Sequence, residues 1–318
     1  MAMDIENLDP KYYCFRIVDS ESDALCVVFS ARGSKPGSFS FFKTMERSKV
    51  NVLHITPPEA AWYQSGLVGF GNDIHTAFSN LWDFIQSLIE KFSFKRIFII
   101  GDSMGAYAAL VFAHFVKDIS TRVICFGGET TLNLPGSRSS ENVFKNEGFH
   151  DIRNLEYGDN VNIIMIFGEY DMVDAYCALS MKNRKNFKIL SHLWSPHSVT
   201  PELHSDMGLA NFMRDALRGR FFYPGRGHLA SALNVKDVEP LVFSKAGSQE
   251  YIDTIKTCVR RYPNFSFGWL ALAEYFTKAG ETEKARNALK RVVQGWRLPK
   301  KFAEIKNNID KKIEISIR

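Results

Sequence analysis

The chain has little of what would export it, anchor it or load it with a metal. Its five cysteines (Cys14, Cys26, Cys125, Cys177, Cys258) are odd in number and scattered, with no CxxC pair, which excludes a disulfide framework and leaves no zinc or redox motif. They are expected as buried thiols in a reducing cytoplasm. Long apolar runs are missing: stretches such as Ile97 to Ile100 fall far short of the roughly 18 residues that span a bilayer. Met1-Ala-Met-Asp-Ile-Glu is acidic and leads into no apolar segment, so no secretory signal is expected. No GxGxxG follows a strand. Gly33-Ser-Lys-Pro-Gly lacks the phosphate-loop spacing and Pro36 removes an N–H, and no His, Asp or Glu cluster has metal spacing. No cofactor is expected.

What is present is ordinary globular material. Across 318 residues, 45% apolar and 24% charged, the chain has room for one large domain with an appendage, or for two domains. The net charge of +5 is uneven: from Lys256 onward 15 Lys and Arg face 6 Asp and Glu, an excess of nine, so the preceding part carries −4. Charge alone names no ligand, and a solvated helical face explains this excess without nucleic acid.

Unbroken apolar runs alternate with helical periodicity. Tyr12 to Val18, Ala24 to Phe29, Asn51 to Ile55, Arg96 to Ile100, Val123 to Phe126, Val161 to Phe167 and Phe187 to Trp194 read as strands. Ile74, Phe78, Leu81, Ile85 and Leu88 recur at helical spacing behind a cap at Asn72 or Asp73, and helices are expected at Met104 to Val116 and Met172 to Lys182. The expected fold is therefore α/β over residues 1–220, a mostly parallel sheet with helices on both faces. The polar stretch 129–160 exceeds the usual connection length and is a candidate lid. Residues 221–244 read as a connector. Within 245–318, Trp269, Leu272, Ala273, Phe276, Gly280, Ala285 and Leu289 fall on the spacing of a tetratricopeptide repeat. One such unit and part of another do not make a free-standing solenoid, so this arm is expected to pack on the first domain, a protein partner or a second copy of the chain.

Chemistry concentrates at Gly101-Asp102-Ser103-Met104-Gly105, directly after an apolar strand and at the start of an Ala-rich helix. A strand that reverses into a helix so abruptly needs glycine two positions either side of the serine, which the turn then holds exposed. On this GxSxG segment and the partners that follow it, residues 12–218 resemble the α/β-hydrolase superfamily. The resemblance implies an acid after a later strand, where Gly168-Glu-Tyr-Asp171 stands, and a histidine after the last, where Ser195-Pro-His197-Ser stands. Ser103 would be the nucleophile, His197 the general base and Asp171 its orienting acid. Asp174 and Glu169 compete with Asp171, which also suits a helix cap; His192, His204 and His228 compete with His197.

The oxyanion would take the Met104 N–H and one from the loop after Ala24 to Phe29, with Arg32 the first choice and Ala31 or Ser34 close behind. Here Ser30-Ala-Arg-Gly departs from the family's commoner His-Gly. The expected activity is that of a cytoplasmic serine hydrolase of the esterase, thioesterase or deacylase kind, with transfer to an acceptor other than water left open. The alternative is an inactive hydrolase-fold scaffold that works through its basic arm.

Overall fold

The computed structural model describes residues 5–48, 50–140, 149–193, 195–218, 223, 225, 227–292 and 300–317. In chain order its elements are β1 (Tyr13–Arg16), β2 (Ala24–Phe29), α1 (Phe42–Ser48), β3 (Asn51–Ile55), α2 (Ile74–Phe92), β4 (Arg96–Asp102), α3 (Met104–Phe115), β5 (Ser120–Phe126), β6 (Val161–Gly168), α4 (Met172–Ser180) and β7 (Phe187–His192). Helices follow: α5 (Thr200–Met207), α6 (Leu209–Leu217), α7 (Leu229–Ala232), α8 (Val235–Phe243), α9 (Gln249–Arg261), α10 (Ser266–Lys278), α11 (Thr282–Arg291) and α12 (Lys300–Ile317).

The seven strands form one sheet in the order β1-β3-β2-β4-β5-β6-β7. β1 runs antiparallel to β3 and every other pairing is parallel. This is the mostly parallel α/β sheet with helices on both faces expected from the sequence, with a helical C-terminal region. Side chains alternate across a strand, so an unbroken apolar run must feed two cores. Leu25, Val27 and Phe29 enter the core shared with α2 and α3, while Cys26 and Val28 enter the one closed by Met45 of α1 and by Phe212 and Met213 of α6.

Local chemistry sets the element ends. Asp73 caps α2, its carboxylate accepting the Thr76 N–H at 2.9 Å, an interaction worth about 1 kcal/mol. β1 stops at Arg16 rather than Val18 because the Asn51 side-chain oxygen accepts the N–H groups of Val18 and Asp19 at 2.8 and 2.9 Å, drawing the chain off the sheet. β7 ends at His192, and Trp194, expected as its last residue, lies outside the described residues. The described parts of the 129–160 stretch carry one isolated bridge, Thr131 to Asp151, and otherwise irregular backbone. Residues 221–244, expected as a plain connector, hold α7 and α8. Pro240 lies inside α8 and disguised it in the sequence.

The helical segment docks on the sheet domain. α8 packs against α4, α9 against α8, and α10 against α9. α10 and α11 meet at Gly280, whose φ of +74° suits a residue without a side chain, and the buried Ala273 and Ala285 let the two helices approach. A polar tie reinforces the docking. Glu169, at the end of β6, is 2% exposed and accepts hydrogen bonds from the Leu229 N–H (2.8 Å), the Ser191 hydroxyl (2.8 Å) and the Tyr262 hydroxyl (3.1 Å). Burial pushes its pKa up, which is the cost these donors offset. Tyr262 Oη in turn accepts the His228 N–H at 3.3 Å.

Tyr262→Phe removes a donor from a buried carboxylate and a partner from a backbone N–H. It should lower unfolding stability by about 1.5–3 kcal/mol, read as an earlier urea midpoint, with helical content unchanged.

Candidate active site

The site stands at the carboxyl ends of β4, β5 and β6. β4 delivers Gly101 and Asp102, and α3 starts one residue beyond Ser103. Ser103 itself has φ 55° and ψ −120°, a backbone conformation that side-chain-bearing residues rarely adopt and that costs on the order of 1–3 kcal/mol. The reversal is possible only because both flanking residues are glycine. A Cβ on Gly101 would lie 2.0 Å from the Gly105 carbonyl oxygen, and one on Gly105 would lie 2.3 Å from that of Phe29.

The turn aims the Ser103 hydroxyl at His197. Ser103 Oγ is 2.7 Å from His197 Nε2, and His197 Nδ1 is 2.8 Å from Asp174 Oδ2. A carboxylate can only accept, so Nδ1 carries a proton, and in the neutral ring Nε2 is left to accept from the serine. Gly127, with φ +55° at the end of β5, makes room for the pair. A Cβ there would approach the His197 carbonyl oxygen to 2.6 Å and Asp174 Oδ2 to 3.0 Å. The three residues come together across 94 and 23 positions of sequence.

The carboxylate on the imidazole is thus Asp174 and not Asp171, which corrects the expectation from sequence. Asp171 occupies the cap of α4, where its Oδ1 accepts the Asp174 N–H at 3.0 Å and its Oδ2 meets Arg138 at 2.6 Å. A cap side chain turns toward the first amides of its own helix, whereas the residue three further on, in the first turn, is buried and faces inward. Glu169 and the three competing histidines stand away from the serine. Glu169 belongs to the tie with Tyr262, the His192 ring is buried between Ser195 (3.2 Å) and Asp206 (3.3 Å), His204 sits in α5, and His228 precedes α7.

Electrostatics single out the imidazole. Burial pulls the His197 pKa down, but the charge and hydrogen bond of Asp174 outweigh it, and the balance is raised to about 9. Asp174 is pushed up by burial and by neighbouring Asp171, and its Oδ1 has no hydrogen-bond partner among the described residues. Asp102, next to the serine, is raised to about 6 by burial above all, and Thr200 offers it only a long contact of 3.4 Å. Ligand atoms of Asp171, Asp174 and His197 lie within 4.8 Å of one another, a spacing a divalent cation could use. The Arg138 guanidinium on Asp171 and the imidazole on Asp174 already engage them.

The loop after β2 is firmly built. The Tyr63 hydroxyl donates to the Ser30 carbonyl at 2.9 Å, Ser30 Oγ pairs with Thr56 Oγ1 at 2.8 Å, and the Ala31 N–H donates to Ser40 Oγ at 2.9 Å. Trp62 and Tyr63, fully buried, both have positive φ (54° and 61°), so this wall of the loop is held in left-handed backbone by its packing. The Ser34 N–H donates to the Ala31 carbonyl at 3.2 Å, and the Arg32 guanidinium donates to the Arg138 carbonyl at 2.8 Å. Arg138 and the buried Glu129 were not singled out from the sequence, because the 129–160 stretch carries no motif. Gly127 had a faint signal, a glycine pair closing a strand.

No described protein family matches the sequence, and no curated protein matches it. Among solved structures, the chain is similar to a monoacylglycerol lipase of Paleococcus ferrophilus at 12% identity, with 66% of this chain and 98% of that one covered and a TM-score of 0.43. It is similar to the capsule O-acetyltransferase of Neisseria meningitidis serogroup A at 14% identity, over 65% and 90% of the two chains, with a TM-score of 0.46. A Bacillus cereus carboxylesterase is 15% identical over 66% and 94%, with a TM-score of 0.42.

A group whose pKa is raised in the folded state stabilises the fold fully below its unfolded value, here about 6.5, and that contribution is lost as pH rises through about 9. Proton NMR of the His197 ring should therefore titrate near 9, and Asp174→Asn should bring the midpoint below that of the wild type. An unchanged midpoint in that variant would remove Asp174 from the pair.

Proposed function

We propose that the protein is a serine hydrolase acting on an ester, thioester or related acyl substrate. The observation that carries this reading is the continuous hydrogen-bonded line from Ser103 Oγ through His197 to Asp174, with contacts of 2.7 and 2.8 Å, anchored on a strained strand-to-helix turn. Ser103 Oγ attacks the acyl carbonyl while Nε2 of His197 takes the hydroxyl proton. Asp174 keeps the imidazole in the tautomer that can accept and stabilises the imidazolium once formed. The imidazolium then protonates the leaving group, and a water deprotonated by the same nitrogen releases the acyl chain from Ser103.

The developing oxyanion is assigned to the amides of Met104 and Arg32. Met104 opens α3, where the first helical N–H groups and the positive dipole end point toward the serine. The loop after β2 supplies the second amide, with Arg32 the first choice and Ala31 or Ser34 close behind. The compartment proposed is the cytoplasm, on the strength of five free thiols, four of them buried; no helix among the described residues is long and apolar enough to cross a membrane.

A fluorophosphonate probe tests the reading. Wild-type protein should be labelled on Ser103 and should hydrolyse a simple aryl ester, and Ser103→Ala should lose both while keeping its fold. Because neutral imidazole is the active form, the labelling rate should climb with pH toward a half-maximum near 9. Asp174→Asn should slow it by roughly 10⁴-fold. Labelling that persists in Ser103→Ala, or is absent from the wild type, sinks the proposal.

A further inference from the structure

Charged groups crowd the imidazole of His197 from every side. Asp174 and the cap residue Asp171 approach from α4, Asp102 from the end of β4, and Glu129 and Arg138 from the stretch after β5. Arg138 is the cation among these acids, and it is held at several points. Its guanidinium lies 2.6 Å from Asp171, its backbone N–H donates to Glu129 Oε1 at 2.8 Å, and its carbonyl accepts the Arg32 guanidinium at 2.8 Å. Ser139, the next residue, donates to the other Glu129 oxygen at 2.5 Å. Arg138 is 31% exposed and Asp171 only 11%, so the pair is screened less than a pair free on the surface.

We propose that Arg138 is a positioning residue for the hydrolytic site: by clamping Asp171 it reserves Nδ1 of His197 for Asp174 and sets the charge that the imidazole meets. The inference rests on reading Ser103 and His197 as the reactive pair. Two carboxylates within 4.8 Å of one ring nitrogen compete for its proton and repel each other. A guanidinium fixed on one of them settles both problems, since it removes that carboxylate from the competition and compensates its charge. Arg138 also works against the acids electrostatically, lowering the affinity of His197 for its proton where Asp174 and Asp171 raise it. The polar stretch after β5 thereby contributes to the base without touching the serine.

The test follows the His197 ring by NMR across pH in the full chain, with the resonance assigned by His197→Gln. Arg138→Met should move the midpoint up by roughly one pH unit, Arg138→Lys should restore it, and Asp171→Asn should move it down. A merely structural arginine would not give opposite shifts in Arg138→Met and Asp171→Asn. Midpoints unchanged in both, or moved in the same direction, overturn the proposal. If Arg138→Met does not fold, Arg138→Gln takes its place, an upward shift supporting the proposal and any other result overturning it. The titration needs no turnover, so failure of the hydrolase reading appears separately, as loss of Ser103-dependent labelling in the wild type.

Discussion

Everything at the candidate site depends on how closely β4 and α3 approach each other at Ser103. The strand is buried on both faces and cannot drift, and the helix that follows is Ala-rich and fully packed along nearly its whole length. Between them the backbone must reverse within one residue, and Ser103 absorbs the strain. The packing of two cores thus holds a single left-handed serine in place, and two glycines make the contact physically possible. The same close approach seats the first turn of α3 against Phe29 at the end of β2, so the hydroxyl, the helix amides and the loop after β2 share one rigid corner.

That corner was legible because its constraints are local. A GxSxG between an apolar run and an Ala-rich helix needs glycine for steric reasons that can be checked residue by residue. The alternation of apolar runs and helical spacing likewise pointed to the parallel sheet. The acid was harder: Asp171 and Asp174 are both near the end of the right strand, and which one faces the imidazole depends on where α4 begins. A one-turn difference in helix phase exchanges a cap for an inward-facing carboxylate, and the pattern of apolar residues there is too short to fix that phase. Arg138 and Glu129 were out of reach altogether, since irregular backbone has no period to read.

The helical segment shows the opposite balance. Its hairpin at Gly280 was written in the spacing of small and aromatic residues, but the way it is fastened was not. Tyr262 carried no signal in the sequence, and Glu169 stood there as a candidate acid. Burial turns them into a hydrogen-bonded pair across 93 positions, brought together where the helical segment packs on the sheet domain.

Glu169 lies two residues before the α4 cap, so the seat of the arm and the orientation of the acid are built from one turn. The chain is synthesised from its amino terminus at about 5–20 residues per second, and domains fold as they emerge. When the sheet is complete and α7 has formed, Glu169 has two of its three donors, and the third is still being made. Without Tyr262 the body would hold a buried carboxylate short of a partner, and Tyr262 completes that turn from outside. Order at the α4 cap is in this sense shared with a residue of the helical segment.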